Sequence, residues 1–211
     1  MNYSRENPSP RYLELVKQYR GMHEMPPEKT KGGKPKEMFR GYSLKPYVTQ
    51  LTSIIKKTGS KTLLDYGSGK GQVYIDFDLP RIWGVTVKCY DPGHKPFSKL
   101  PDGMFDGVVC TDVLEHIPEP DVEWVLDEIF GFATKFVFMN VSCKEAKKLL
   151  PDGTNAHCTV QPPEWWKERI IKANKHNVDL TLYATVTEED ELLIGKPFVP
   201  QSTNRTQRNH I

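Results

Sequence analysis

The sequence predicts an α/β fold, a three-layer sandwich with helices on both faces of a mostly parallel sheet and an antiparallel strand near the C-terminus. Three observations predict it. Short apolar runs typical of buried parallel strands alternate with helical segments between residues 43 and 141. The first run, residues 62–64 (TLL), ends at an acid, Asp65, and leads through Tyr66 into a glycine-rich turn, GSGKG. The last run, residues 178–187, alternates apolar with polar residues, as a half-exposed strand at a sheet edge does.

The length of the chain predicts one domain, and its net charge does not favour a polyanionic partner. The 211 residues suffice for one domain with a full core, or one domain with a lid. Lysine and arginine number 29 against 27 acids, so the net charge of +2 makes nucleic acid unlikely as a substrate. No apolar run approaches the ~20 residues that span a bilayer, and the polar start lacks the core of a secretory signal. We expect a cytoplasmic protein without membrane association.

The cysteines indicate neither a disulfide framework nor a metal site. They show no C-x-x-C spacing, and two of them lie inside predicted strands. Reduced thiols in an intracellular protein, and no bound metal, are therefore expected. The four residues are Cys89, Cys110, Cys143 and Cys158.

Residues 1–42 are predicted to form an N-terminal helix and a mobile loop that could act as a lid. Ser9 and Pro10 are typical of a helix start, and we expect the helix to end near Gly21. Residues 24–36 are rich in proline, glycine and lysine, which indicates an exposed loop. The predicted buried face of the helix is Tyr12, Leu13, Val16 and Tyr19.

Residues 43–200 are predicted to form the core domain, and residues 201–211 a polar, disordered tail. A helix capped by Ser43 and closed by Gly59 precedes the first strand. After the glycine turn a short helix leads to a second strand that ends at Asp91.

Asp91 stands 20 residues after Gly71. In a strand-helix-strand unit, this spacing places a carboxylate where it can accept hydrogen bonds from both ribose hydroxyls of a bound nucleoside. Asp91 also begins an Asp-Pro-Gly turn, and both roles can hold together.

No strand is predicted between Pro92 and Met104. Residues 105–117 (FDGVVCTDVLEHI) then form another buried strand that ends in polar residues. Open parallel sheets bind ligands outside the carboxyl ends of their strands, so these polar residues are expected at a site. A helix from Asp121, a strand over 135–141, a polar loop and a helix that ends near Asn174 complete the domain.

These motifs together resemble the class I S-adenosylmethionine-dependent methyltransferases, of the small stand-alone kind similar to methyltransferase types 11 and 23. The resemblance rests on Asp65 before the glycine turn, the glycine order, Asp91, and D-V-L-E-H-I after the fourth strand. It covers residues 43–140, a little under half of the chain. It implies a Rossmann-like fold, with S-adenosylmethionine as cofactor and S-adenosylhomocysteine as product.

The resemblance also implies positions at the cofactor. Asp65 would lie beneath its amino-acid end, backbone amides of the glycine turn would approach its methionine part, and Asp91 would take the ribose. Asp112 and Val113 would line the sulfonium side. The residues implied are Asp65, Gly67, Ser68, Gly69, Gly71, Asp91, Pro92, Asp112 and Val113, with Leu100 bordering the adenine and Tyr42, beside Arg40, closing over the cofactor.

The methyl acceptor is expected near His157. An alcohol or phenol must lose a proton as it attacks, so a base that titrates near neutrality is useful. His157 lies in the polar loop 151–160, ahead of the tryptophan pair at 165–166, in a region that covers the acceptor in similar enzymes. A loop histidine bonded to a backbone group is the alternative. His116 is the second candidate, because the histidine of this motif more often supports the loop or the cofactor.

The leading prediction is O-methylation of a small molecule or of a glycan sugar. The alternatives are an S-adenosylmethionine-binding protein without methyl transfer, either regulatory or cofactor-cleaving, and a nucleic-acid methyltransferase. The latter is disfavoured because enzymes for exocyclic base amines carry N/D-P-P-Y/F where this chain has TDVL. A nicotinamide dehydrogenase is opposed by Gln72, which stands where the last glycine of G-x-G-x-x-G belongs.

Overall fold

The computed structural model describes residues 3–26, 28–29, 35–36, 39–174 and 180–187. Its strands are β1 (Glu28–Lys29), β2 (Pro35–Lys36), β3 (Thr62–Tyr66), β4 (Thr86–Tyr90), β5 (Phe105–Thr111), β6 (Ala133–Ser142) and β7 (Thr181–Thr187). Its helices are α1 (Pro10–Glu24), α2 (Val48–Thr58), α3 (Gln72–Asp76), α4 (Leu79–Trp83), α5 (Val122–Phe132) and α6 (Pro163–Asn174). Among these residues no helix is both long enough and apolar enough to cross a lipid bilayer.

The main sheet has the strand order β4-β3-β5-β6-β7, and every neighbouring pair in it is parallel. Helices cover both of its faces. One face packs against α5, α6 and the start of α1. The other face packs against α2, α3 and α4. The α/β class and the three layers therefore agree with the sequence-based prediction, and the short pair β1 and β2 stands apart as an antiparallel ladder.

The predicted antiparallel strand near the C-terminus is wrong. β7 runs parallel to β6, from Phe136 opposite Thr181 to Ser142 opposite Thr187. The reason is α6, which crosses one face of the sheet and returns the chain to the end where β6 starts. Such a crossover joins parallel strands, whereas alternation of apolar and polar residues reports only which faces of a strand are covered.

β7 is also more buried than its alternating sequence predicts. Leu182 and Ala184 belong to the cluster that contains α6. Tyr183 belongs to the cluster on the opposite face, and Thr185 is buried as well. Residues 175–179, where the predicted strand begins, lie outside the described part, as do residues 27 and 30–34 of the loop 24–36 and the whole predicted tail.

The N-terminal helix extends further than predicted. α1 continues one turn beyond Gly21, to Glu24, because a single glycine costs a helix only about 1 kcal/mol. This extra turn carries His23 into a buried position. Leu13, predicted on the buried face, is exposed, and Leu15 is buried instead.

The helix before β3 does not begin as predicted, but it ends as predicted. A 3₁₀ turn at Lys45–Tyr47 precedes α2, and no side chain caps it. The Oγ of Ser43 instead forms a hydrogen bond of 3.1 Å with the Oγ1 of Thr111, at the end of β5. Gly59 ends α2 with φ +58, as predicted. Ser43 thereby ties this segment to the carboxyl edge of the sheet.

Candidate functional site

A cavity of about 810 Å³ lies at the carboxyl edge of the sheet. Its floor is built from residues at the ends of four strands, namely Gly67, Asp91, Asp112 and Ser142. The remaining wall comes from α1, from residues 39–43 and from the loop after β6. This is the position at which open parallel sheets bind ligands.

The structure separates the predicted site residues into two groups. Nine of them line the cavity: Tyr42, Gly67, Gly69, Asp91, Pro92, Asp112, Val113, His116 and His157. The other four, Asp65, Ser68, Gly71 and Leu100, are not among the lining residues. Leu100 packs against the core cluster on the α5 side of the sheet.

The turn after β3 needs glycine for two separate reasons. Gly67, Gly69 and Gly71 all have positive φ, at +84, +57 and +60 respectively. A side chain at Gly67 would also clash with Val113, and a Cβ at Gly69 would lie 2.6 Å from the carbonyl oxygen of Phe39. The turn is therefore both left-handed and tightly covered.

Backbone amides of the turn are already bonded inside the protein. The amides of Gly67 and Ser68 donate to the carbonyl of Tyr90, Gly69 to Asp91 Oδ2, Lys70 to the carbonyl of Phe39, Gly71 to that of Ser68, and Gln72 to that of Arg40. These amides are therefore not available as hydrogen-bond donors to a ligand. The amide contacts with the cofactor that the resemblance implies would require the internal hydrogen bonds to break first.

Asp91 is held at the cavity by two backbone donors. Its Oδ2 accepts from the amide of Gly69 at 2.9 Å and its Oδ1 from that of Gly93 at 2.8 Å. Burial raises the pKa of this carboxyl, and the amide bonds oppose the rise. A carboxylate has about four acceptor positions, so lone pairs remain for a ligand's hydroxyls.

Asp65 lies buried beneath the turn. Its Oδ2 accepts a hydrogen bond of 2.9 Å from the hydroxyl of Tyr74. Burial raises its pKa to about 7, while the Tyr74 bond acts in the opposite direction. Asp65 thus supports the turn from below and makes no contact with the cavity.

The raised pKa of Asp65 predicts a pH-dependent stability. Because the folded state binds this proton more tightly than the unfolded state, the contribution of Asp65 is most favourable below about pH 4 and is lost as pH rises towards 7. We expect wild type to lose roughly 2 kcal/mol of unfolding free energy relative to Asp65→Asn between about pH 5 and pH 8. Urea unfolding of both proteins at the two pH values measures this. Parallel pH profiles would contradict it.

Three cavity residues from α1 were not predicted as site residues. Tyr19 and His23 line the cavity together with Val16. His23 Nε2 is 3.9 Å from Asp91 Oδ1, and its ring centroid is 4.9 Å from that of His94. Burial lowers the pKa of His23 to about 4, so its imidazole is neutral. The spacing of these residues places them on one face of the helix, but such spacing indicates core packing as well as it indicates a binding site.

Asp112, which was predicted at the sulfonium side, meets the two candidate acceptor histidines in the cavity lining, next to Tyr19. The rings of His116 and His157 are perpendicular, with centroids 4.7 Å apart. His116 Nε2 is 4.0 Å from Asp112 Oδ1. Burial lowers the pKa of His116 to about 4. This brings together the ends of β5 and of the loop after β6, which are some forty residues apart in sequence.

Glu115 lies directly behind this group and is fully buried. Its Oε1 accepts from the amide of Ser142 at 2.7 Å. Burial, with Asp112 nearby, raises the pKa of Glu115 to about 8. The carboxyl thus joins the end of β5 to the end of β6.

The tryptophans of α6 lie away from the cavity. Trp166 is completely buried in the core cluster that holds α5, and Trp165 packs against the guanidinium of Arg169, 3.5 Å from its ring centroid. The pair therefore serves packing.

Tyr42 and Arg40 lie in the part of the cavity wall formed by residues 39–43. The Tyr42 hydroxyl donates a hydrogen bond to Asp76, and the Arg40 guanidinium lies 5.0 Å from the Tyr42 ring centroid.

Comparison with known proteins identifies one family model. A model described as a methyltransferase domain matches residues 36–179, which is more than half of the chain. No curated protein matches.

Two solved structures are similar in part. An O-methyltransferase family protein from Burkholderia thailandensis is 16% identical, with 64% of this chain and 52% of that chain covered and a TM-score of 0.47. Magnesium protoporphyrin IX methyltransferase from Synechocystis PCC 6803, with bound S-adenosylhomocysteine, is 18% identical, with 47% and 55% covered and a TM-score of 0.36. This chain spans about half the length of each, and at these TM-scores neither likeness bears on the acceptor.

Proposed function

We propose that this chain, which belongs to the methyltransferase domain family, methylates an oxygen of a small molecule or of a glycan sugar. The family match confirms the predicted class I methyltransferase and S-adenosylmethionine as its cofactor. The observation that carries the proposal is a single cavity that is lined both by predicted cofactor residues and by His116 and His157. Its volume of about 810 Å³ is typical of small-molecule sites, which run to ~1,000 Å³.

The chain's residues fit the cofactor in two respects. Asp91 presents a carboxylate fixed by two amides, which can accept hydrogen bonds from ribose hydroxyls. Gly67 and Gly69 of the turn line the same cavity as Asp91, so the turn and the carboxylate can contact one ligand. S-adenosylmethionine supplies a methyl group that its own sulfonium charge activates. The protein therefore has mainly to align the two reactants and exclude water.

We place the acceptor oxygen beside His157. The Nδ1 of this residue is bonded to the carbonyl of Lys144, and its amide donates to Asn155 Oδ1 at 2.9 Å, so the ring is held in one orientation. This leaves Nε2 as the ring nitrogen for the acceptor. A base at this position accelerates attack by a hydroxyl more than attack by an amine, because the hydroxyl proton must leave during the attack.

The proposed function is tested first by cofactor chemistry. We expect the purified protein to bind S-adenosylmethionine with a stoichiometry of one in calorimetry and to leave it intact when no acceptor is present. With methyl-labelled cofactor, label should pass to members of a panel of phenols, catechols and monosaccharides. Breakdown of the cofactor without an acceptor, or label transferred only to nucleic acid, would contradict the proposal.

Asp91 provides a test of the cofactor side. We expect Asp91→Ala to weaken S-adenosylhomocysteine binding by roughly 1 to 3 kcal/mol, because hydrogen bonds to a charged group are lost. Asp91→Asn keeps one carbonyl oxygen for a backbone amide and should fall between the alanine variant and wild type. Calorimetry measures both, and thermal melting without ligand reports whether the turn survives. Affinity equal to wild type in both variants would remove Asp91 from the site.

A further inference from the structure

The cavity lining contains a cluster of three potential metal ligands. One carboxylate oxygen of Asp112 and one ring nitrogen from each of His116 and His157 lie within 4.8 Å of one another. We propose that these three residues bind one divalent transition-metal ion. This differs from the sequence-based expectation of no metal, which considered the spacing of the cysteines and not this group.

Both imidazoles are held in the form that ligates a metal. His116 Nδ1 is 2.8 Å from the carbonyl oxygen of Ala156, and His157 Nδ1 is bonded to the carbonyl oxygen of Lys144. A carbonyl only accepts, so each Nδ1 carries the hydrogen and each Nε2 keeps its lone pair. Metal-bound histidines show this arrangement, in which the second nitrogen donates to a carbonyl or carboxylate and fixes the ring.

Tyr19 also holds the His116 ring at its Nδ1. Its hydroxyl is 2.7 Å from His116 Nδ1 and 3.2 Å from the carbonyl oxygen of Ala156. The His116 ring is therefore held by a backbone group and by a side chain of α1. Such outer contacts are what a pre-formed metal site requires, since the ligands then lose little freedom on binding.

The three ligand atoms lie within 4.8 Å of one another, so binding of one ion requires them to approach by up to about 2 Å. Ligand atoms at ~2.1 Å from a common ion lie roughly 3 to 3.5 Å apart. Asp112 Oδ1 and His116 Nε2 are 4.0 Å apart, so this pair must close by less than about 1 Å. The Asp112 side chain is 55% exposed and can turn towards the histidines without disturbing the core.

The ligand types select the class of metal. Two imidazoles and one carboxylate suit Zn²⁺, Mn²⁺, Fe²⁺, Co²⁺ or Ni²⁺, whereas Ca²⁺ and Mg²⁺ prefer oxygen ligands throughout. Three lysines, Lys144, Lys147 and Lys148, line the same cavity and oppose a cation. We therefore expect weaker binding than at a site without lysines nearby.

The role of the ion, but not its binding, rests on the proposed function. Three protein ligands leave open positions at which the acceptor hydroxyl can bind. A hydroxyl bound there has a lowered pKa, and its proton passes to solvent. The oxygen then forms a bond to the methyl carbon as the carbon–sulfur bond breaks, and the electron pair of that bond stays on sulfur. His157 would assist this reaction as a ligand, and the acceptor class would be hydroxyl compounds that coordinate a metal.

Metal binding can be tested without an acceptor. The full chain is stripped with a chelator and titrated with Co²⁺, whose visible absorption reports coordination, and direct metal analysis gives the stoichiometry. We expect one Co²⁺ per chain, displaced by Zn²⁺. Asp112→Asn, His116→Ala and His157→Ala should each weaken binding by ~100-fold or more, because loss of even an outer partner costs 10- to 100-fold.

The second histidine pair of the cavity region supplies the matched control. His94→Ala removes an imidazole that faces His23 and should bind Co²⁺ as wild type does. Thermal melting checks the fold of each variant, and His157→Gln replaces His157→Ala if the latter does not fold. Failure of wild type to bind Co²⁺, or binding that survives all three ligand substitutions, would overturn the metal site.

The same samples separate this inference from the proposed function. Calorimetry with S-adenosylmethionine is run on the metal-free protein and on the Co²⁺-loaded protein. Cofactor binding without Co²⁺ binding overturns only the metal site. Co²⁺ binding without cofactor binding overturns the proposed function and leaves the metal site standing.

Discussion

His157→Ala is expected to lower the rate of methyl transfer ~100-fold or more, with cofactor affinity close to that of wild type. The substitution removes an imidazole that the structure fixes at the cavity through the carbonyl of Lys144. It removes no contact of the glycine turn or of Asp91, so binding of the cofactor should not depend on it. Turnover is measured on the best acceptor of the panel, and affinity is measured by calorimetry with S-adenosylhomocysteine.

Cys158→Ala provides the matched control for this experiment. It changes the next residue of the same loop, at an exposed position. We expect its turnover to equal that of wild type. If His157→Ala turned over at the wild-type rate, His157 would be a structural loop residue, as the sequence-based alternative held. If both variants lost turnover equally, the loss would be due to a disordered loop and not to the imidazole.

Gly67→Ala is expected to cost roughly 2 to 5 kcal/mol of unfolding free energy. Part of the cost is the left-handed backbone, at φ +84, which is worth about 1 to 2 kcal/mol for a residue with a side chain. The rest is overpacking, since the new methyl group would collide with the side chain of Val113, and such insertions cost about 1 to 3 kcal/mol. Urea unfolding measures the sum.

Gly153→Ala separates the two causes. Gly153 has φ +83, almost identical to Gly67, but nothing lies within 4 Å of the position that its Cβ would take. It should therefore show the backbone cost alone. A Gly67→Ala variant no less stable than Gly153→Ala would mean that Val113 moves aside freely. In that event the tight covering of the turn would not be a requirement of this fold.

The core of the fold was predictable because its signals are local. Buried parallel strands are continuous apolar runs, and β3, which contains Asp65 and ends at Tyr66, leads directly into the glycine turn. The direction of β7 was not predictable from alternation, because direction depends on the path of α6 across the sheet. The same limit applied to the tryptophan pair, whose burial depends on which face of α6 meets the sheet.

The candidate site divides in the same way. Asp91 could be placed from its spacing after Gly71, since a strand-helix-strand unit fixes where the second strand ends. Tyr19 and His23 could not be placed at the site from the sequence. Their helix, α1, lies outside the strand-helix-strand units, so no spacing along the chain relates it to the sheet edge that it covers. Asp65 was predicted near the cofactor, and the structure places it below the turn, bonded to Tyr74.

By itself the sequence determined the family, the cofactor and the edge of the sheet at which the site lies, since each of these depends on residues close together in the chain. The tertiary structure decided which side chains share the cavity. It brings Asp112 and His116, after β5, to His157, which follows β6, and it lays α1 against the same cavity. Folding alone creates such a group, because its geometry depends on how the strands, loops and helices pack and not on any spacing along the chain.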